Sequence, residues 1–140
     1  MATERALYVD SSALVKLIVH EPESPELEDL TAGREIVASE LVLAEVPRAI
    51  RRAAQGARGK REALARGIEV VLGAVALLPL DRTVLLRAGA FEESFLRALD
   101  AIHIATALAV ADEIDSFVSY DARQADAARI AGLPVVSPGV

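Results

Sequence analysis

The sequence predicts a three-layer α/β/α domain on a central parallel β-sheet, and three observations predict it. Short apolar or β-branched runs alternate along the chain with apolar patterns at helical spacing. Two of those runs, "LYVD" and "SFVSYD", end on an aspartate and turn at once toward a helix. A chain of 140 residues can bury most of its apolar surface in one core, so one domain over residues 1–140 is expected.

The elements follow in order. Ala6 to Val9 reads as the first strand, and Leu14, Leu17 and Ile18 give a helix from about Ser12 to Val19 its apolar face. After the two-proline loop "EPESPE", a short helix is expected over Glu26 to Leu30, ending near Gly33, and a strand over Ile36 to Ala38. Ser39 is expected to cap, with Glu40 in its first turn, a helix that runs to about Ala57. Pro47 lies inside that helix, removes one backbone hydrogen bond and should kink it. A helix from about Lys60 to Val75, a strand in "ALLPLD" and a helix in "RTVLLRAGA" come next. From Leu99 to Ala111 the run "LDAIHIATALAVA" is almost wholly apolar, which predicts a helix buried on most sides. The strand "SFVSYD", the helix "ARQADAARIAG" closing on Gly132 and a last strand in "LPVVSPG" complete the alternation.

Composition narrows the chemistry. Cysteine is absent, which removes disulfides, thiolate catalysis and cysteine-ligated zinc and fits a reducing cytoplasm. "MATERALYVD" lacks the apolar stretch of a signal peptide, and the near-continuous apolar run from Val70 to Leu80 is too short to span a bilayer, so a soluble protein with no membrane contact is expected. Aromatic residues are 4% of the chain, too few for a base-stacking ladder. His20 and His103 lack a metal-ligand spacing; His103 reads as a hydrogen-bonded core histidine. There is no phosphate-cradling glycine loop, and no serine has a credible histidine partner. The formal net charge of −6 argues against a polyanionic partner, but Arg48 to Arg66 holds seven basic residues and one acid. A solvated helix face is the ordinary explanation of such a run.

Four acids resist so ordinary an explanation. Asp10 and Asp121 each follow a strand and could simply cap the next helix, yet in a parallel sheet both would lie at the same edge, where ligands bind. Glu45 sits among Val42, Val46, Ala49, Ile50 and Ala53, the apolar stripe of its helix, where an unpaired carboxylate is costly. Asp100 opens the most apolar helix, either as its cap or as a charge at the edge of the core. Carboxylates that converge repel one another unless a cation joins them. Hard oxygen ligands select Mg²⁺ or Mn²⁺, ions suited to phosphodiester hydrolysis.

The segments "YVDSSALVKL", "SELVLAEVPRA", "LRALDAIHIATAL" and "VSYDARQADAARIAGLPVVSPG" resemble, in order, the four motif regions of PIN-domain ribonucleases, specifically VapC toxins of bacterial toxin–antitoxin pairs. The resemblance spans nearly the whole chain and implies a PIN fold. It places the family's acidic quartet, catalytic and metal-holding, on Asp10, Glu45, Asp100 and Asp121. It matches Ser11 to the small hydroxyl residue after the first acid, and Ser119 to the Ser or Thr two before the fourth. The implied activity is Mg²⁺-dependent endoribonuclease action on RNA, Mn²⁺ substituting, with a cognate VapB antitoxin as partner and a homodimer as assembly. Arg48 and Arg52, on the face of the helix that carries Glu45, and Arg97, one turn before Asp100, are candidates to hold RNA phosphates, with Arg123 a weaker one. The rival expectation is a catalytically inactive PIN-type module that binds RNA or protein.

Overall fold

The computed structural model describes residues 4–55 and 58–140. Among them, five parallel strands form one sheet in the order β3-β2-β1-β4-β5: β1 (Ala6–Val9), β2 (Ile36–Ser39), β3 (Val75–Leu78), β4 (Ile114–Val118) and β5 (Val135–Val136). The helices between them are α1 (Ser11–Ile18), α2 (Ser24–Thr31), α3 (Val42–Ala53), α4 (Arg61–Gly73), α5 (Arg82–Gly89), α6 (Ala98–Ala109) and α7 (Ala122–Ile130). The expected three-layer parallel α/β architecture is therefore present.

Strand parity sorts the core into two layers. Leu7, Val9, Ala38 and Val118 face one way and pack with Ala13, Leu14, Leu27, Val42, Val46 and Ile50 from α1, α2 and α3, joined by Leu64 and Ile68 of α4. Ala6, Tyr8, Val37 and Phe117 face the other way, against Ile104 and Ala107 of α6 and Ala127 and Ala128 of α7. Helix α5 adds Val84 and Ala88 to the outer side of α6. With all four residues of β1 buried, the strand reads as a continuous apolar run, as a central parallel strand must. No helix among the described residues is long and apolar enough to cross a membrane.

Three expectations change in detail. Ser39 is not a helix cap: it is the last residue of β2, paired with Leu78 of β3, and α3 begins at Val42 behind Leu41. Glu40 is consequently outside the first turn, and its Oε1 accepts from the Leu80 N–H at 2.7 Å, tying the end of β3 to the end of β2. Helix α3 runs from Val42 to Ala53 with Pro47 inside it, shorter than expected; the expected end at Ala57 lies outside the described residues. A short 3₁₀ turn over Arg58–Lys60 precedes α4. At the other end of the chain α7 stops where expected, with Gly132 in the left-handed region at φ 92°, a conformation other residues adopt only with strain.

The strand order positions the site. From β1 the chain moves outward to β2 and β3, then crosses back to lay β4 against the other side of β1. The order reverses between β1 and β4, and the crevice beyond their carboxyl ends is where a parallel sheet receives ligands.

Candidate active site

Asp10 leaves β1 at this switch point and caps α1, its Oδ1 accepting from the Ala13 N–H at 3.0 Å. A cap alone would leave the carboxylate to its own helix, but three further donors reach it. Ser12 Oγ donates to Oδ1 at 2.6 Å; Ser119 Oγ, just past β4, and Gln124 Nε2, from α7, donate to Oδ2 at 2.5 and 2.8 Å. Asp10 is 1% exposed, and burial pushes its carboxyl above the ordinary aspartate range. The hydrogen bonds from Ser119 and Ser12, the nearby charge of His103 and the Ala13 amide pull in the opposite direction.

Ser119 joins two acids. While its hydroxyl donates to Asp10, its oxygen accepts from the Asp121 N–H at 3.1 Å. Asp121 caps α7 through Oδ1, which accepts from Arg123 N at 3.0 Å and Gln124 N at 3.1 Å. Both cap bonds fall on one oxygen, so Oδ2 has no hydrogen bond among the described residues.

Asp100 is the third residue of α6, behind Arg97 in the cap position, so the choice left open by the sequence falls on a charge at the edge of the core. It is half-buried. Burial raises its carboxyl first, the charge of Asp121 second, and Asp10 and Glu45 add to the rise while His103 opposes it. The charges of Asp121, Asp10 and Glu45 thus each reach Asp100. Glu45 comes from α3, half-buried, with Oε1 accepting from His103 Nε2 at 2.6 Å.

The remaining expected residues are placed less centrally. Ser11 is half-buried, and among the described residues its hydroxyl has no hydrogen-bond partner; Ser12 holds Asp10 instead. Arg48, Arg52, Arg97 and Arg123 are exposed. Sequence reasoning did not single out Gln124 or Ser12; His103 is the hydrogen-bonded core histidine it expected, with Tyr8 and Glu45 as the partners it did not name. Gln124 had a local signal: it lies three residues after Asp121, on the face of α7 that also buries Ala125, Ala127 and Ala128.

The donor set fits a hard divalent cation. It consists of carboxylate oxygens, with Asp121 Oδ2 uncommitted and Asp100 raised by burial and then by the charge of Asp121. Among the described residues no three His, Asp or Glu side chains already close into a cage. An ion such as Mg²⁺ takes one or two carboxylates directly and keeps several waters.

A parallel sheet with acids gathered at its switch point defines the class. The PIN domain family model matches residues 7–130, and the chain belongs to that family. Within it, the chain falls with the VapC proteins: it is 42% identical over 135 residues to Ribonuclease VapC46 of Mycobacterium tuberculosis, covering 95% of this chain and 98% of the relative. The structure is similar to that of M. tuberculosis VapC20, described as a sarcin-ricin loop cleaving toxin, with a TM-score of 0.69 at 18% identity, over 95% of this chain and all of that one. It is also similar to a chain of VapBC2 from Rickettsia felis, solved on a DNA fragment from its promoter, with a TM-score of 0.67 at 16% identity over 95% and 98% of the two chains.

Proposed function

We propose that the chain is a Mg²⁺-dependent endoribonuclease of the VapC type, its PIN domain spanning residues 1–140 and acting in the cytoplasm. The observation that carries this reading is that acids from separate parts of the chain are tied together at the carboxyl end of the sheet: Ser119 joins Asp10 to Asp121, and Glu45 accepts from His103, three residues after Asp100 on α6. Carboxylates brought within reach of one another lack a counter-charge that a divalent cation provides.

Asp10, Glu45, Asp100 and Asp121 are the residues that would hold Mg²⁺ or Mn²⁺. When bound, the ion supplies Lewis-acid polarisation of a phosphate and activation of water. The chain's own residues do the rest. Ser119, Ser12 and Gln124 keep Asp10 in one orientation, so the site is preorganised before RNA arrives. Arg48 and Arg52 on α3 and Arg97 at the start of α6 are exposed beside the acids' own helices and give phosphates their positioning contacts. With water rather than the ribose 2′-hydroxyl as nucleophile, the products carry 5′-phosphate and 3′-hydroxyl ends.

The restraint expected of a toxin is a VapB-type antitoxin, and the toxin itself is expected to form a homodimer. Leu85 and Leu86 on α5, Phe95 and Leu99 are exposed, an apolar surface that supports a protein partner.

Cleavage of RNA with Mg²⁺, followed by mapping of the new ends, tests the proposal. Wild-type cleavage should require the cation, fall at least about 100-fold in Asp10→Ala and Asp121→Ala, and survive replacement of the scissile 2′-hydroxyl by hydrogen. A 2′,3′-cyclic phosphate product would falsify the mechanism. A wild-type chain that binds RNA and never cuts it would favour the binding-module alternative.

A further inference from the structure

His103 is 1% exposed and hydrogen-bonded at both ring nitrogens, a costly group to bury unless its bonds are all made. One bond leads to an acid of the site and the other leads away from it. Nδ1 stands 2.8 Å from the hydroxyl of Tyr8, which is itself fully buried. That hydroxyl accepts from the backbone N–H of Ser39 at 3.2 Å. A carboxylate only accepts, so in a neutral ring Nε2 is the donor toward Glu45 and Nδ1 is left to accept from the Tyr8 hydroxyl. The ring hydrogen then sits on Nε2 and is donated to Glu45 Oε1 at 2.6 Å.

Each member is held by something other than the acids. Tyr8 stacks on Phe117 with ring centroids 5.1 Å apart and planes 5° from parallel, and meets His103 edge-on at 6.0 Å and 77°. Ser39 is fixed by its pairing with Leu78 of the neighbouring strand. His103 lies three residues after Asp100 on α6, so one helix presents an acid and the partner of another acid on adjoining positions. Glu45, arriving from α3 with a flexible side chain, is the only member of the series that is not buried outright. Its Oε2 has no hydrogen bond among the described residues.

We propose that Ser39 N–H, Tyr8 and His103 form a fixed series of hydrogen bonds that orients Glu45 for a divalent cation, which makes Tyr8 and His103 positioning residues of the site. The proposal rests on the metal-dependent reading given above. It assigns a role to a tyrosine that hydrogen-bonds none of the four acids. A histidine buried for stability alone would share the same packing, but the Tyr8 hydroxyl would then have no influence on cation affinity.

Mn²⁺ titrations of the full chain without RNA, followed by calorimetry or by the spin resonance of free Mn²⁺, separate the two. Tyr8→Phe keeps the ring stacked on Phe117 and deletes only the hydroxyl. It should weaken Mn²⁺ affinity about 10-fold, the lower end of what outer partners of metal ligands contribute. His103→Gln retains a side-chain N–H for Glu45 but loses the ring that Tyr8 holds, and should lose about as much as Tyr8→Phe, whereas His103→Leu should lose at least as much as either. In the His103→Gln background, Tyr8→Phe should have no further effect, because its path to Glu45 is already cut. Unchanged Mn²⁺ affinity in Tyr8→Phe, or an equal loss in both backgrounds, would overturn the proposal while leaving the nuclease reading standing. A wild-type chain that binds no Mn²⁺ would overturn both.

Discussion

At the scale of single residues, burial works against the charged forms of two carboxylates of the candidate site, Asp10 and Asp100. Asp100 illustrates this most simply, because among the described residues it has no hydrogen bond to offset its burial and its acidic neighbours. Its carboxyl has a higher pKa in the fold than in the unfolded chain, so the unfolded chain ionises first as pH rises. Stability contributed by the neutral form is therefore complete below the ordinary aspartate range and is lost as pH climbs through the raised value. In metal-free buffer Asp100→Asn should melt at a higher temperature than wild type at pH 7, and the gap should close as pH falls below that range. Ser119 makes the converse case. Ser119→Ala removes a donor to Asp10 and an acceptor for Asp121 N, and should cost about 1–3 kcal/mol in denaturant unfolding and about 10- to 100-fold in cleavage. Asp10, Glu45, Asp100 and Asp121 were legible as acids in unusual places. Which hydroxyl serves Asp10 was not: Ser11 and Ser12 are adjacent in sequence, and only the turn into α1 decides that the second reaches Oδ1.

At the scale of elements, most strands and helices were readable because local pattern and tertiary burial agree. Helix α1 is an example, with Asp10 at its cap and Ala13 and Leu14 buried beneath it. Leu14→Ala should cost about 2–5 kcal/mol, since the side chain is fully enclosed in the layer under β1. The start of α3 was misplaced for a physical reason. Ser39 has good cap chemistry, but its backbone N–H is taken by Tyr8 and its residue pairs with Leu78, so the sheet claims it and the helix begins three residues later. Helix α3 also carries the exposed Arg48 and Arg52. Replacing either by Ala should weaken RNA binding across sequences and lower the slope of log affinity against log salt by about 0.7 for each phosphate that is no longer neutralised. A slope unchanged in both variants would remove them from the RNA surface.

At the scale of the whole molecule, the strand order determines what the acids can do together. Alternating strands and helices announce a parallel sheet, but nothing in the local pattern says that β4 returns to pair with β1, and that pairing is what sets Asp10 beside Ser119 and Asp121. Glu45 and Asp100 reach the same region on helices from opposite layers, α3 and α6, bridged by His103. Long-range pairing of this kind is invisible to residue periodicity: strand ends alone suggested that Asp10 and Asp121 share an edge, and the resemblance to the PIN motifs is what implied that Glu45 and Asp100 join them. The decisive measurement is the shift in melting temperature produced by Mg²⁺ in wild type and in Asp10→Asn, Glu45→Gln, Asp100→Asn and Asp121→Asn. If the four acids share one cation, saturating Mg²⁺ raises the wild-type midpoint and each substitution diminishes that rise. A wild-type midpoint indifferent to Mg²⁺, or a rise of equal size in all four variants, would contradict the account.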